Sequence, residues 1–208
     1  MKDKQKFIIA GTAPNLDEQL DNKYIYDFLP YIKDYYNFIG LNHLILDNSF
    51  HYFDYFLTID VFTYKYLKNF PHLESKMWID KTVKKEADKY NYLQNVVEVF
   101  EVDNQIHTEY NKKLYLNRYN PTALHTALNM ALILGAKEVY LLGIQLDSEW
   151  KHRIEYDPDY FPPKPTEMIK EMRESVYRFK KYFNVLSTLN KQCTLDLPYT
   201  DIRSLLIN

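Results

Sequence analysis

Two adjoining segments near the middle of the chain constrain its fold more than any others. Over residues 122–134 nearly every side chain is small or apolar, whichever side of a helix it falls on. Asn120 is placed to cap that helix, Pro121 to take its first position and Gly135 to close it. A helix apolar on most sides is buried at the centre of a layered domain. Residues 138–143 follow as a strand apolar on both faces, as a parallel sheet covered by helices requires.

The rest of the chain is read around that pair. Phe7-Ile8-Ile9-Ala10 is a short apolar strand running into a turn at Gly11, with Ala13-Pro14-Asn15 next. Residues 16–36 carry apolar groups at mixed spacing, and Pro30 is expected to end one helix before a second short piece begins. Further strands are expected over 37–41, ending in Asn42-His43, and over 53–59, with Asp60 just beyond. A helix is expected over 61–70, a short strand over 77–79, and a surface helix or loop over 81–90. The β-branched stretch 96–102 reads as a strand, and 103–113 as an exposed polar segment. Residues 147–165 lack a core pattern and form a long connection, expected to be a lid or binding loop. From Thr166 the spacing of Ile169, Met172, Val176, Phe179 and Phe183 predicts a helix with one buried stripe. Val185-Leu186 fits a last parallel strand and 199–207 a short closing helix. The expected architecture is a Rossmann-like α/β/α sandwich with a mainly parallel sheet, one domain over residues 1–208.

Composition narrows the partners. With 46% hydrophobic residues in 208, the chain can fill a full-sized core. Lys plus Arg total 26 against 28 Asp plus Glu, so no global cationic field exists to hold a nucleic acid backbone. Cys193 is the sole cysteine, which excludes an intramolecular disulfide and suggests a reducing compartment. The opening residues are too short an apolar run for a signal peptide, and no stretch approaches a membrane span, so a soluble cytoplasmic protein is expected. Twenty tyrosines suit sugar stacking, core packing or self-association as a homo-oligomer.

Ligands of such sandwiches sit outside the carboxyl ends of the strands. The residues expected there are Gly11, Thr12, Asn15, Asn42, Asp60, Arg118, Asn120, Thr122 and the segment from Gln145 onward. Gly11 would let a phosphate or sugar approach backbone N–H groups, or it only forms a turn. The start of the helix after Asn120, with Arg118 nearby, suits a phosphate or carboxylate, or is simply a capped end. Asp60 can accept from sugar hydroxyls or cap the helix after it. His152, flanked by Lys151 and Arg153 and near Tyr156 and Tyr160, has the chemistry of a general base beside cations, or is a solvated loop cluster. His125 is expected to be a packed core histidine. No HExxH or two-histidine-one-carboxylate spacing occurs, so no metal site built by the protein is expected; Asp147, Glu149, Asp157 and Asp159 could bind a divalent ion through carboxylate oxygens, or are only a solvated acidic loop.

At these residues the chain resembles a known group. FIIAGTAPNL, 7–16, resembles the strand and FxxxGxxPS turn that opens the bacterial sialyltransferases of glycosyltransferase family 42 and the related domain of motility-associated glycosylation proteins. IGLNH, 39–43, is similar to the family's second element, and TALHTALNMALILGAKEVYLLGIQLD, 122–147, to its buried helix and following strand. The resemblance implies a Rossmann-like glycosyltransferase that moves a sugar from a CMP-activated donor, typically sialic acid, to a glycan hydroxyl without a metal. It assigns Gly11, Thr12 and Asn15 to the donor turn, Asn42 to the nucleotide sugar, Asp60 to the third strand end, and Arg118 and Thr122 to the segment before the buried helix. His152 would be the base and Tyr156 and Tyr160 the phosphate-side tyrosines. Thr12 stands where the family usually has asparagine, and Gln145 at or beside its aspartate. A non-catalytic nucleotide-sugar binding domain and a magnesium-dependent pyrophosphokinase-like enzyme are the alternatives.

Overall fold

The computed structural model describes residues 5–42, 44, 52–60, 76–89, 96–117, 119, 121–146 and 166–206. Alternating apolar side chains build the sheet. In strand β1 (Lys6–Ala10), Phe7 and Ile9 enter one core, while Ile8 and Ala10 enter the other. A tight hairpin follows, β2 (Gln19–Leu20) and β3 (Lys23–Tyr24), turned by Asp21 and Asn22 at φ 47° and 64°. The sheet continues with β4 (Asn37–Leu41), β5 (Tyr55–Thr58), β6 (Lys76–Asp80), β7 (Val96–Asp103), β8 (Lys113–Tyr115), β9 (Glu138–Leu142) and β10 (Val185–Thr188). Its order is β10-β9-β1-β4-β5-β6-β7-β8, and every pair is parallel. The expected Rossmann-like α/β architecture is what forms. Hydrogen bonds from Thr188 to Pro198 and from Thr200 to Thr188 cover the outer edge of β10.

The helices are α1 (Leu29–Ile32), α2 (Lys81–Asp88), α3 (Ala123–Ile133) and α4 (Thr166–Tyr177). α3 packs across β1, β4 and β5 while also touching β8 and α4, which is why its sequence is apolar all round. Its one buried amide pins the edge of the sheet. Asn129 accepts from the N–H of Tyr115 at 2.7 Å and of His107 at 3.3 Å, and donates to the carbonyl of His107 at 2.6 Å. So residues 103–113 are not wholly a solvated segment: His107 is held by α3, and its ring lies 2.9 Å from Asp103. α2 settles the open reading of 81–90 as a helix, capped by Asp80, which accepts from the backbone and hydroxyl of Thr82.

Two expectations need correcting. Pro30 does not end a helix; it stands in the first turn of α1, where its missing N–H has no partner to lose. The preceding residues form 3-10 turns over Pro14–Asp17 and Ile25–Phe28, because their mixed apolar spacing gives no longer helix a continuous buried stripe. The buried helix is capped by Thr122, whose hydroxyl accepts from Leu124 N–H at 3.4 Å, so neither Asn120 nor Pro121 holds the position expected of it. The expected helix over 61–70 and the loop over 147–165 lie outside the described residues. Among the described residues no helix is long and apolar enough to cross a membrane.

Candidate functional site at the carboxyl edge of the sheet

From β1 the chain fills one side of the sheet through β4 to β8, and α3 then returns it to β9 on the other side. The strand order therefore reverses between β1 and β9, and their carboxyl ends form the switch point where ligands of such sheets bind. The two exits are drawn together by a pair of glycines. A Cβ on Gly11 would sit 2.6 Å from Ile144 Cδ1 and 2.8 Å from Gly143 O, and one on Gly143 would sit 2.7 Å from Gly11 O. Gly143 also has φ +58°, a conformation that side chains disfavour. The N–H groups of Gly11 and Ala13 donate to Leu142 O and Gly143 O, both at 2.9 Å. Gly11 is thus occupied by β9 on the side where a Cβ would point, and its amide extends the sheet. That makes it a residue that joins the exits of β1 and β9, with its N–H already committed.

Next to it, Thr12 is buried and opens the turn over Pro14–Asp17, which includes the backbone of Asn15. Asn42 leaves β4 at φ +44°, and its Oδ1 accepts from Ile59 N–H at 3.3 Å, tying the exits of β4 and β5. Asp60 is half-buried one residue on, its N–H donating to the Thr58 hydroxyl at 3.3 Å. Thr122 begins α3, which packs on β1 and β4, so the positive end of that helix's dipole belongs to the same edge. Gly11, Thr12, Asn42, Asp60 and Thr122 therefore share one edge. His152, Tyr156, Tyr160, Arg118 and Asn120 lie outside the described residues, as does the side chain of Asn15.

The exit of β9 is held by residues that the sequence did not single out. Buried Asn190 accepts from Gly143 N–H at 2.9 Å, the Cys193 thiol donates to Ile144 O at 3.4 Å, and the Thr194 hydroxyl accepts from Leu146 N–H at 2.9 Å. Arg173 of α4 donates twice to Leu146 O, from Nε at 3.0 Å and Nη2 at 2.7 Å. One signal was available: Arg173 is a charge four residues after Ile169 and three before Val176, on the apolar stripe itself. Burial pushes the Cys193 thiol up, so it stays protonated near neutral pH.

His125 is the core histidine expected of it. It is fully buried, its ring Nε2 donates to Met172 O at 3.1 Å, and burial lowers its pKa to about 4. A ring neutral at pH 7 and closed to solvent serves packing. Among the described residues no three His, Cys, Asp or Glu side chains group to hold a metal ion.

The fold is a Rossmann-like α/β sheet whose strand order reverses between β1 and β9. The chain matches no family model and no curated protein. Among solved structures it is similar to one described as a mammalian sialyltransferase, at 12% identity and a TM-score of 0.43, covering 88% of this chain and 68% of that one.

Proposed function

We infer that the chain is a sialyltransferase-like glycosyltransferase, which takes a CMP-activated sugar and transfers it to a glycan hydroxyl without a metal. The observation that carries this reading is spatial. The segments 7–16, 39–43 and 122–147 resemble separate motifs of one family, and they supply neighbouring strands β1, β4 and β9 and the helix laid across β1 and β4. In this reading Thr12 and Asn42 meet the donor nucleotide, Asp60 accepts from sugar hydroxyls, and the start of α3 at Thr122, with Arg118 and Asn120, faces its phosphate. Gly11 and Asn15 shape the donor turn. His152 takes the proton of the acceptor hydroxyl as that oxygen attacks the anomeric carbon, and CMP leaves with its phosphate steadied by Tyr156 and Tyr160.

Thermal unfolding tests the donor. CMP without magnesium is expected to raise the apparent stability, by about 2.7 kcal/mol at one hundred times its Kd, and more than CDP, UDP, GDP or ATP does. Protection by ATP with magnesium alone would instead favour the pyrophosphokinase alternative. His152→Ala is expected to keep the CMP protection and lose donor hydrolysis and transfer; activity that survives the change rejects His152 as the base.

A further inference from the structure

The guanidinium of Arg173 stands at the exit of β9 with no carboxylate partner among the described residues. Its stem shares the buried face of α4 with Ile169, Met172 and Val176, so the charged group is carried toward the sheet edge rather than into bulk water. A carbonyl oxygen orients that group without cancelling its charge. Of the five N–H bonds of a guanidinium, the two that meet Leu146 O leave both on Nη1 and one on Nη2.

Two hydroxyls belong to its surroundings: that of Thr194, which also bonds Leu146, and that of Tyr177, one turn further along α4. The Thr194 hydroxyl accepts from Leu146 N–H, a bond that does not consume its own proton. Burial keeps the Tyr177 phenol protonated. Asp196 gives its N–H to the Tyr177 hydroxyl at 2.8 Å, and its side chain forms no ion pair with Arg173. Leu146 lies three residues beyond Gly143, which abuts Gly11, so the group stands on the same carboxyl edge of the sheet as the switch point.

We propose that Arg173 is the cation of an anion subsite at the β9 exit, binding phosphate oxygens through Nη1 and the remaining Nη2 hydrogen. The planar fork matches phosphate, and Leu146 O fixes the fork in advance. That the phosphate belongs to a nucleotide rests on the reading above; the subsite itself asks only for a phosphate.

The test titrates CMP and inorganic pyrophosphate into wild type, R173K and R173Q at constant ionic strength, reading the thermal midpoint. R173Q keeps a donor for Leu146 O and loses the charge. It is expected to weaken both ligands about tenfold or more, with R173K between. Equal protection of R173Q and wild type by CMP overturns the subsite and leaves the nucleotide reading standing. Pyrophosphate protection that needs Arg173, with none from CMP, does the reverse. If neither ligand protects wild type, both ideas fail. Should R173Q not fold, the NMR signal of the Arg173 Nε–H in wild type decides: it moves with pyrophosphate and not with sodium chloride, or the subsite is rejected.

Discussion

The two faces of the sheet are built on different principles. One is covered by α3 and α4, whose long buried stripes are fixed in place by directional polar contacts: Asn129 to Tyr115 and His107, and His125 to Met172. Among the described residues the other is covered by 3-10 turns over Pro14–Asp17, Ile25–Phe28 and Ile202–Leu206 with the single turn of α1, and is filled by rings. There Tyr36 meets Tyr140 edge-on at 5.8 Å, and Phe53 sits 5.3 Å from Phe56. Buried amides specify one register, whereas apolar contacts reward any shape of the right volume.

The largest expected effect tests that contrast by exchanges of similar size. Asn129→Val differs in size by only about one methylene and removes the partners of buried backbone groups on β8 and at His107, at a cost of about 4 kcal/mol. Leu29→Met on the opposite face keeps its volume and costs under about 1.5 kcal/mol. Denaturant unfolding of the two variants measures the difference. Similar losses would mean that Asn129 contributes only its bulk.

The faces also differ in their response to acid. In the unfolded chain His125 binds a proton near pH 6.5, whereas in the fold it does so near pH 4. Between those values the unfolded state holds more protons, so stability rises with pH across the window and is lost as pH falls through it. The slope is about 1.4 kcal/mol per pH unit, or about 3 kcal/mol in all. His125→Gln is expected to flatten the profile between pH 6.5 and 5. An unchanged slope would place the acid sensitivity elsewhere.

The same division governs what could be read from the sequence. The strands and the buried helix were legible because period-two and all-round apolar patterns are local. The stripe from Ile169 to Phe183 was legible for the same reason and its five apolar residues are buried, but α4 ends at Tyr177 and Phe179 and Phe183 flank a separate 3-10 turn over Lys180–Tyr182. Residues 16–36 were not, since short turns leave no period to detect. β8 is three residues long and owes its place to Asn129, 14 residues from Tyr115. The placement of Gly11, Thr12, Asn42, Asp60 and Thr122 at the carboxyl edge was legible because they stand just past a strand or at the start of the buried helix. Asn190, Thr194 and Arg173 were not, because they act on partners 47, 48 and 27 residues away. Gly11 shows how one residue admits two physical reasons: its missing side chain fitted ligand approach, yet Gly143 and Ile144 occupy that space.

The smallest expected effect concerns an element, α3, on whose existence sequence and structure agree and on whose origin they differ. Asn120 and Thr122 are both residue types that cap helices, and Pro121 between them favoured the first. Thr122 prevails: it is extended, at φ −144° and ψ 140°, with its hydroxyl turned to Leu124 N–H. Being buried, it also leaves that amide no access to water as a substitute partner. Thr122→Ala is therefore expected to cost about 1 kcal/mol, while Asn120→Ala leaves stability within about 0.5 kcal/mol. The reverse order in thermal unfolding would move the start of α3 back to Pro121. It would also move the positive end of the helix dipole away from Thr122, and with it the phosphate position assigned at the carboxyl edge.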